Sequence, residues 1–220
     1  YGGYADWKKN ASENDKRAVT EIYIEEGVPV IPSLIFKDLP RVGSVTIPAS
    51  VTMIGGAAFA GCSNLSSVVF AKDSELRTLG KYAFYETALK SVVIPASVTA
   101  IRKAAFRYCY NLSSVIFAGN QKLKEIGEWA FCETSLESVV IPASVTTIGK
   151  AAFTECKRLS SVTFTGDMNL RTIGAGAFSG TRLHSVMIPS SVATIGEGAQ
   201  RGGAEKAEQR GKTAGQPHPD

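Results

Sequence analysis

A chain of 220 residues that is 44% hydrophobic can bury a core of its own, and none of its apolar runs reaches the 18 or so residues needed to cross a bilayer, so no membrane insertion is expected. The net charge of +4 is scattered over loops where bases such as Lys72, Lys81, Lys103, Lys122, Lys150 and Arg171 alternate with acids, which excludes the clustered, aromatic-interleaved surface that nucleic acids require. Four cysteines without a C-x-x-C pair, and only two histidines (His184 and His218), leave no metal site and no nucleophile–base–orienter set, so no cofactor and no catalysis are expected.

Residues 1–20 lie outside any pattern. The polar stretch from Ala5 to Ala18, with Trp7, Ala11 and Ala18, reads either as a short helix covering the open end of a repeat array or as a disordered leader. From Glu21 the apolar slots begin to recur. Ile22, Ile24, Val28, Ile31 and Phe36 fall under Val45, Ile47, Val51, Ile54 and Phe59 of the next segment. Serines 44, 67, 91, 114, 138, 161 and 185 then mark intervals of 23 and 24 residues in alternation, and Phe59, Phe84, Phe106, Phe131, Phe153 and Phe178 follow the same ladder. Two kinds of coil alternate. One carries Ile-Pro-Ala-Ser-Val after its strand, and the other a longer polar loop such as Ala71–Leu76 or Thr165–Leu170. The count is seven coils over residues 21–198 plus a truncated eighth.

Each coil reads as a cross-section. Leu65, Val68 and Phe70 alternate inward along a period-two strand, Val51 and Ile54 turn the next corner, and Ala57, Ala58, Phe59, Cys62 and Leu65 have the three-to-four spacing of one helical turn. Coils of this kind stack with their strands about 4.8 Å apart in a parallel ladder. A lone coil cannot bury its inner face, so each depends on its neighbours. The expected fold is an α/β repeat: a right-handed solenoid with a parallel β-sheet on one face and short helical turns and loops on the other.

The pattern L-x-x-V-x-I-P-x-x-V-x-x-I-G-x-x-A-F-x-x-C-x-x-L resembles the BspA-type leucine-rich repeat of bacterial and protist surface proteins. Leu112–Phe117 and Leu136–Ile141 carry its strand, and the IPASVT and AAF segments its turn and short helix. The resemblance covers residues 21–198 and implies adhesion to proteins and cells, and a cell-surface or extracellular location. The leading expectation is a non-catalytic binding module for a protein or glycan ligand. The alternative is an intracellular protein–protein assembly scaffold.

Between the inward residues of successive strands stand Tyr23, Thr46, Val69, Val93, Ile116, Val140, Thr163 and Met187. A solvated sheet face ordinarily carries polar residues, whereas five of these eight are aliphatic or methionine. Two readings stand: an interaction strip, or β-branched residues chosen because they fit strands. Cys62, Cys109 and Cys156 recur in alternate coils, too far apart for disulfides, and read as buried fillers. Cys132 reads as a partly exposed free thiol. His184 takes the slot of Lys90 and Glu137, an exposed edge. The eighth coil supplies Val186, Ile188, Val192 and Ile195 but has Gln200 where its phenylalanine belongs, and residues 199–220 read as a disordered tail. An end without its plug leaves self-association through the C-terminal end open.

Overall fold

The computed structural model describes residues 12–119 and 121–199. They form a parallel β-solenoid of about seven turns with little helix. The single α-helix among the described residues, Glu13–Ala18, opens with a capping box: Ser12 Oγ accepts from the Asp15 amide, and Asp15 Oδ2 accepts from the Ser12 amide at 2.7 Å. Asn14, Asp15, Arg17 and Ala18 are exposed or half-buried, and the apolar contact at this end comes from Val19, Ile22 and Ile24. The remainder of the expected leader, and the tail with its missing plug at Gln200, lie outside the described residues.

The six coils from Ser44 to His184 have two strand-like sides instead of the one expected. The four-residue strands Ser44–Ile47, Ser67–Phe70, Ser91–Ile94, Ser114–Phe117, Ser138–Ile141 and Ser161–Phe164 form one side. Two-residue strands form the other: Val30–Ile31, Met53–Ile54, Thr78–Leu79, Ala100–Ile101, Glu125–Ile126, Thr147–Ile148, Thr172–Ile173 and Thr194–Ile195. These eight make the continuous sheet, parallel throughout and in strict register, as in Ile31↔Ile54 and Ile54↔Leu79.

The longer strands pair only in twos, Ser44–Ile47 with Ser67–Phe70, Ser91–Ile94 with Ser114–Phe117, and Ser138–Ile141 with Ser161–Phe164. The prolines explain the pairing. Within a pair the ladder closes with the amide just past the second strand, as when Ala71 donates to the Ile47 carbonyl at 3.0 Å and Ala118 to Ile94 at 3.0 Å. The equivalent donors at the other junctions are Pro48, Pro95, Pro142 and Pro189, which have no N–H. The ladder therefore opens before every Ile-Pro strand. The same loss operates at both ends of the array, where 21–24 and 185–188, expected to be strands, have no strand pairing.

The expected helical turn is also replaced. Along Ala57–Cys62 alternate amides leave the coil: Ala57, Phe59 and Gly61 donate to the Lys81, Ala83 and Tyr85 carbonyls at 2.7–2.9 Å, while Ala58, Ala60 and Cys62 fold back onto Gly55, Ala57 and Phe59. A helical turn would use all its donors within itself, whereas stacked coils offer carbonyls on the neighbouring turn. Sending every second amide across requires left-handed backbone at two positions per coil, φ 51° at Ala57 and 72° at Gly61 here. Glycine is needed for a different reason one step earlier. A Cβ on Gly127 would stand 2.8 Å from the backbone of Ile101, Arg102 and Lys103, so the coils approach closely along that line.

Inside, side chains stack in columns. Phe36, Phe59, Phe84, Phe106, Phe131, Phe153 and Phe178 lie with ring centroids 5.2–5.4 Å apart, parallel within 8° beyond the first pair. The Cys/Thr column is more than filler. The Cys109 thiol donates to the Phe84 carbonyl at 3.0 Å and meets Thr87 Oγ1 at 3.2 Å, while Thr87 itself donates to the same carbonyl. Cys156, Thr134 and Phe131 repeat the arrangement. Each thiol or hydroxyl thus satisfies a carbonyl that the turn leaves inside the core.

Candidate functional site

The long strands put every second side chain outside. Thr46 lies opposite Val69, Val93 opposite Ile116, and Val140 opposite Thr163. Val69, Val93, Ile116 and Val140 are 49–55% exposed and belong to four consecutive coils, with Thr46 and Thr163 at the two ends. This six-residue row is the part of the expected strip that the strands align. Tyr23 and Met187 are exposed too, but both lie off the ladder. Tyr23 belongs to the first coil, at a cleft of about 490 Å³ that it lines with Ile24, Val28, Val30, Ile31 and Phe36.

The row has a hydroxyl margin, since the serines at the head of each strand are exposed or half-buried. Charged side chains stand at the edge beyond them, where Arg158 binds Glu137 at 2.5 Å. Lys90, Glu137 and His184 are exposed there, as their shared slot implied. Aliphatic methyls bordered by hydroxyls can exclude water from a complementary surface, and nothing in the row can activate a nucleophile or move a proton.

Cys132 departs from the expectation of a partly exposed thiol. It is 5% exposed, because the Arg107 guanidinium lies beside it. Burial raises its thiol, with Arg107 working in the opposite sense, and burial pushes Cys109 and Cys156 up to about 11. All four cysteines are buried, and none is in a disulfide. No group of three or more His, Cys, Asp or Glu among the described residues could hold a metal ion, and no described helix is long and apolar enough to cross a membrane.

A second surface feature was not anticipated. On the turn side, Tyr82, Tyr85, Tyr108 and Tyr110 form a chain of ring contacts at 5.4–5.7 Å, and the Arg107 guanidinium bridges Tyr108 and Trp129, 4.4 and 5.0 Å from their centroids. Lys103 covers the Trp129 ring at 4.4 Å. The signal lay in comparing slots across coils: Tyr82 and Trp129 stand where other coils have Ala57, Ala104, Ala151 and Gly176.

Stacked coils, a continuous parallel ladder on one side, paired parallel strands on the other and an outward apolar row define a repeat scaffold of the leucine-rich kind. The chain belongs to the BspA-type leucine-rich repeat family, whose profile matches residues 12–113 and 77–202. Leucine-rich repeat proteins generally bind proteins. Among solved structures, the T. pallidum leucine-rich repeat protein is 25% identical with a TM-score of 0.54, covering 83% of this chain and 77% of its own. A leucine-rich cell surface protein from Faecalibacterium prausnitzii A2-165 is 27% identical with a TM-score of 0.51, covering 81% of this chain and 65% of its own. The pneumococcal vaccine antigen PcpA is 18% identical with a TM-score of 0.49, covering 81% of this chain and 62% of its own. The chain thus spans less than two thirds of the last two. No curated protein matches it by sequence.

Proposed function

We propose that this chain is a non-catalytic binding module that holds a protein partner against the row Thr46, Val69, Val93, Ile116, Val140 and Thr163. The observation that carries this reading is the exposure of four consecutive aliphatic side chains on hydrogen-bonded strands. Strand propensity alone explains branched residues there, but it gives no reason for the row to lack the charges that mark an idle sheet face. A protein ligand fits better than a glycan, because the row has methyl groups and no aromatic platform. Display at a cell surface is the location we favour, on the likeness to the Faecalibacterium cell surface protein. Self-association through the last described coil, where Ile195 is 52% exposed, is a separate proposal that light scattering across a concentration series would decide.

The test uses Val93→Glu with Val140→Glu. Both positions are half-exposed, so folding is expected to survive. Wild-type chain is screened by surface plasmon resonance against a panel of purified proteins and glycans. A protein that binds wild type should bind the double variant at least roughly tenfold more weakly, since charge placed centrally in an apolar contact is left unpaired. Undiminished binding by a variant with an unchanged melting temperature sinks the proposal.

A further inference from the structure

The turn side holds a site of a different chemistry. We propose that the aromatic face of Tyr82, Tyr85, Tyr108, Tyr110 and Trp129 is a second docking surface, for a protein segment that presents a lysine or arginine side chain. The inference is independent of the apolar row, which lies on the long-strand side of the coil.

Composition comes first. Tyrosine, tryptophan and arginine are the residues that dominate binding energy at protein interfaces, and here they come from three consecutive coils into one connected cluster. Backbone cost comes second. Tyr82, Tyr108 and Trp129 have φ of 59°, 62° and 55°, the left-handed region where Gly61, Gly176 and Gly180 stand in equivalent slots. A bulky residue there is strained relative to relaxed backbone. The left-handed backbone itself is general, since Leu34, Asp38, Glu86, Glu133 and Glu155 adopt it in the same slots; particular to the cluster is that aromatic rings fill three of these positions in consecutive coils.

Charge decides the partner. Two cations lie in the cluster and both are engaged: Lys103 covers Trp129 and pairs with Glu128 at 3.0 Å, while Arg107 stacks on Tyr108 and Trp129, donates to Tyr108 Oη at 2.5 Å, and has its Nε shielded from solvent. The outer groups are acidic. Glu86 and Glu133 occupy the slot of Tyr108 in the coils on either side of it, and neither takes part in an ion pair among the described residues. Both are near enough to Tyr110, which is 59% exposed, for their charges to raise its phenol after burial has done so. An incoming ammonium or guanidinium would lie on the Tyr110 ring between two carboxylates, while Arg107 holds the rings below in place.

The probe is an acetylated, amidated hexa-arginine peptide titrated into the full chain, followed by calorimetry and by the tyrosine ring signals in NMR. Saturable binding that shifts the Tyr108 and Tyr110 rings is expected. Glu86→Gln with Glu133→Gln, and separately Tyr110→Ser, should each weaken it by roughly tenfold, the first through loss of charge attraction and the second through loss of the ring contact. Val93→Glu with Val140→Glu should leave it unchanged. The proposal is overturned if binding is absent, if it persists in the folded Glu86→Gln/Glu133→Gln and Tyr110→Ser variants, or if hexa-glutamate or an anionic polysaccharide binds as well as hexa-arginine.

Discussion

At Gly127 the coils touch so closely that one methyl group has nowhere to go. Gly127→Ala is expected to destabilise by about 1–3 kcal/mol, because the obstructing atoms are backbone and cannot swing aside; urea denaturation of wild type and variant checks it. Thr134 shows the opposite economy, a hydroxyl placed inside to satisfy the Phe131 carbonyl. Thr134→Val keeps the shape and removes the donor, which should cost about 1 kcal/mol in the same measurement. Tyr85 supplies a pH test. Burial, then the hydrogen bond and charge of Glu86, push its phenol from 10.0 up to about 12. The folded state therefore keeps a proton that the unfolded chain gives up more readily. Stability from this group is intact below pH 10 and falls as pH rises from there through about 12, which urea denaturation across that pH range checks.

The elements were unequally legible. The phenylalanine, leucine and isoleucine columns could be read from spacing alone, because a fixed period forces equivalent side chains to stack. The second sheet could not, since two residues such as Thr147–Ile148 are too short to show an alternation. Pro48, Pro95 and Pro142 were visible as repeat markers, yet their effect on pairing depends on which amide closes the preceding ladder, a relation between coils that no single coil displays. The left-handed turn hid behind Ala57, Ala104 and Ala151, which advertise helix. Of the expected binding row, six residues align on strands, whereas Tyr23 and Met187 fall off its ends for want of a paired strand. The aromatic cluster escaped because its rings come from different slots in successive coils, so no repeating position marks them. Hydrogen exchange is the measurement for this scale: the Ala71 and Ala118 amides, which close ladders, should exchange far more slowly than those of 185–188, which lie outside any strand pairing.

Across the whole molecule each coil is held by its two neighbours, so stability is a sum of coil and interface contributions. Phe106 has a stacked ring on both sides and Phe178 on only one among the described residues. Phe106→Ala should cost about 3–5 kcal/mol, with Phe178→Ala costing less, by thermal or urea unfolding. The same architecture keeps the two exposed surfaces apart, one on strands and one on turns, so that either can be changed while the other keeps its shape. The most direct measurement of the central claim is a hydrogen-exchange footprint of the chain bound to a protein that it selects from the purified panel. Protection is expected on Ser67–Phe70, Ser91–Ile94, Ser114–Phe117 and Ser138–Ile141, with the aromatic turns unaffected. Protection that spares those four strands would contradict the assignment of the apolar row as the binding surface.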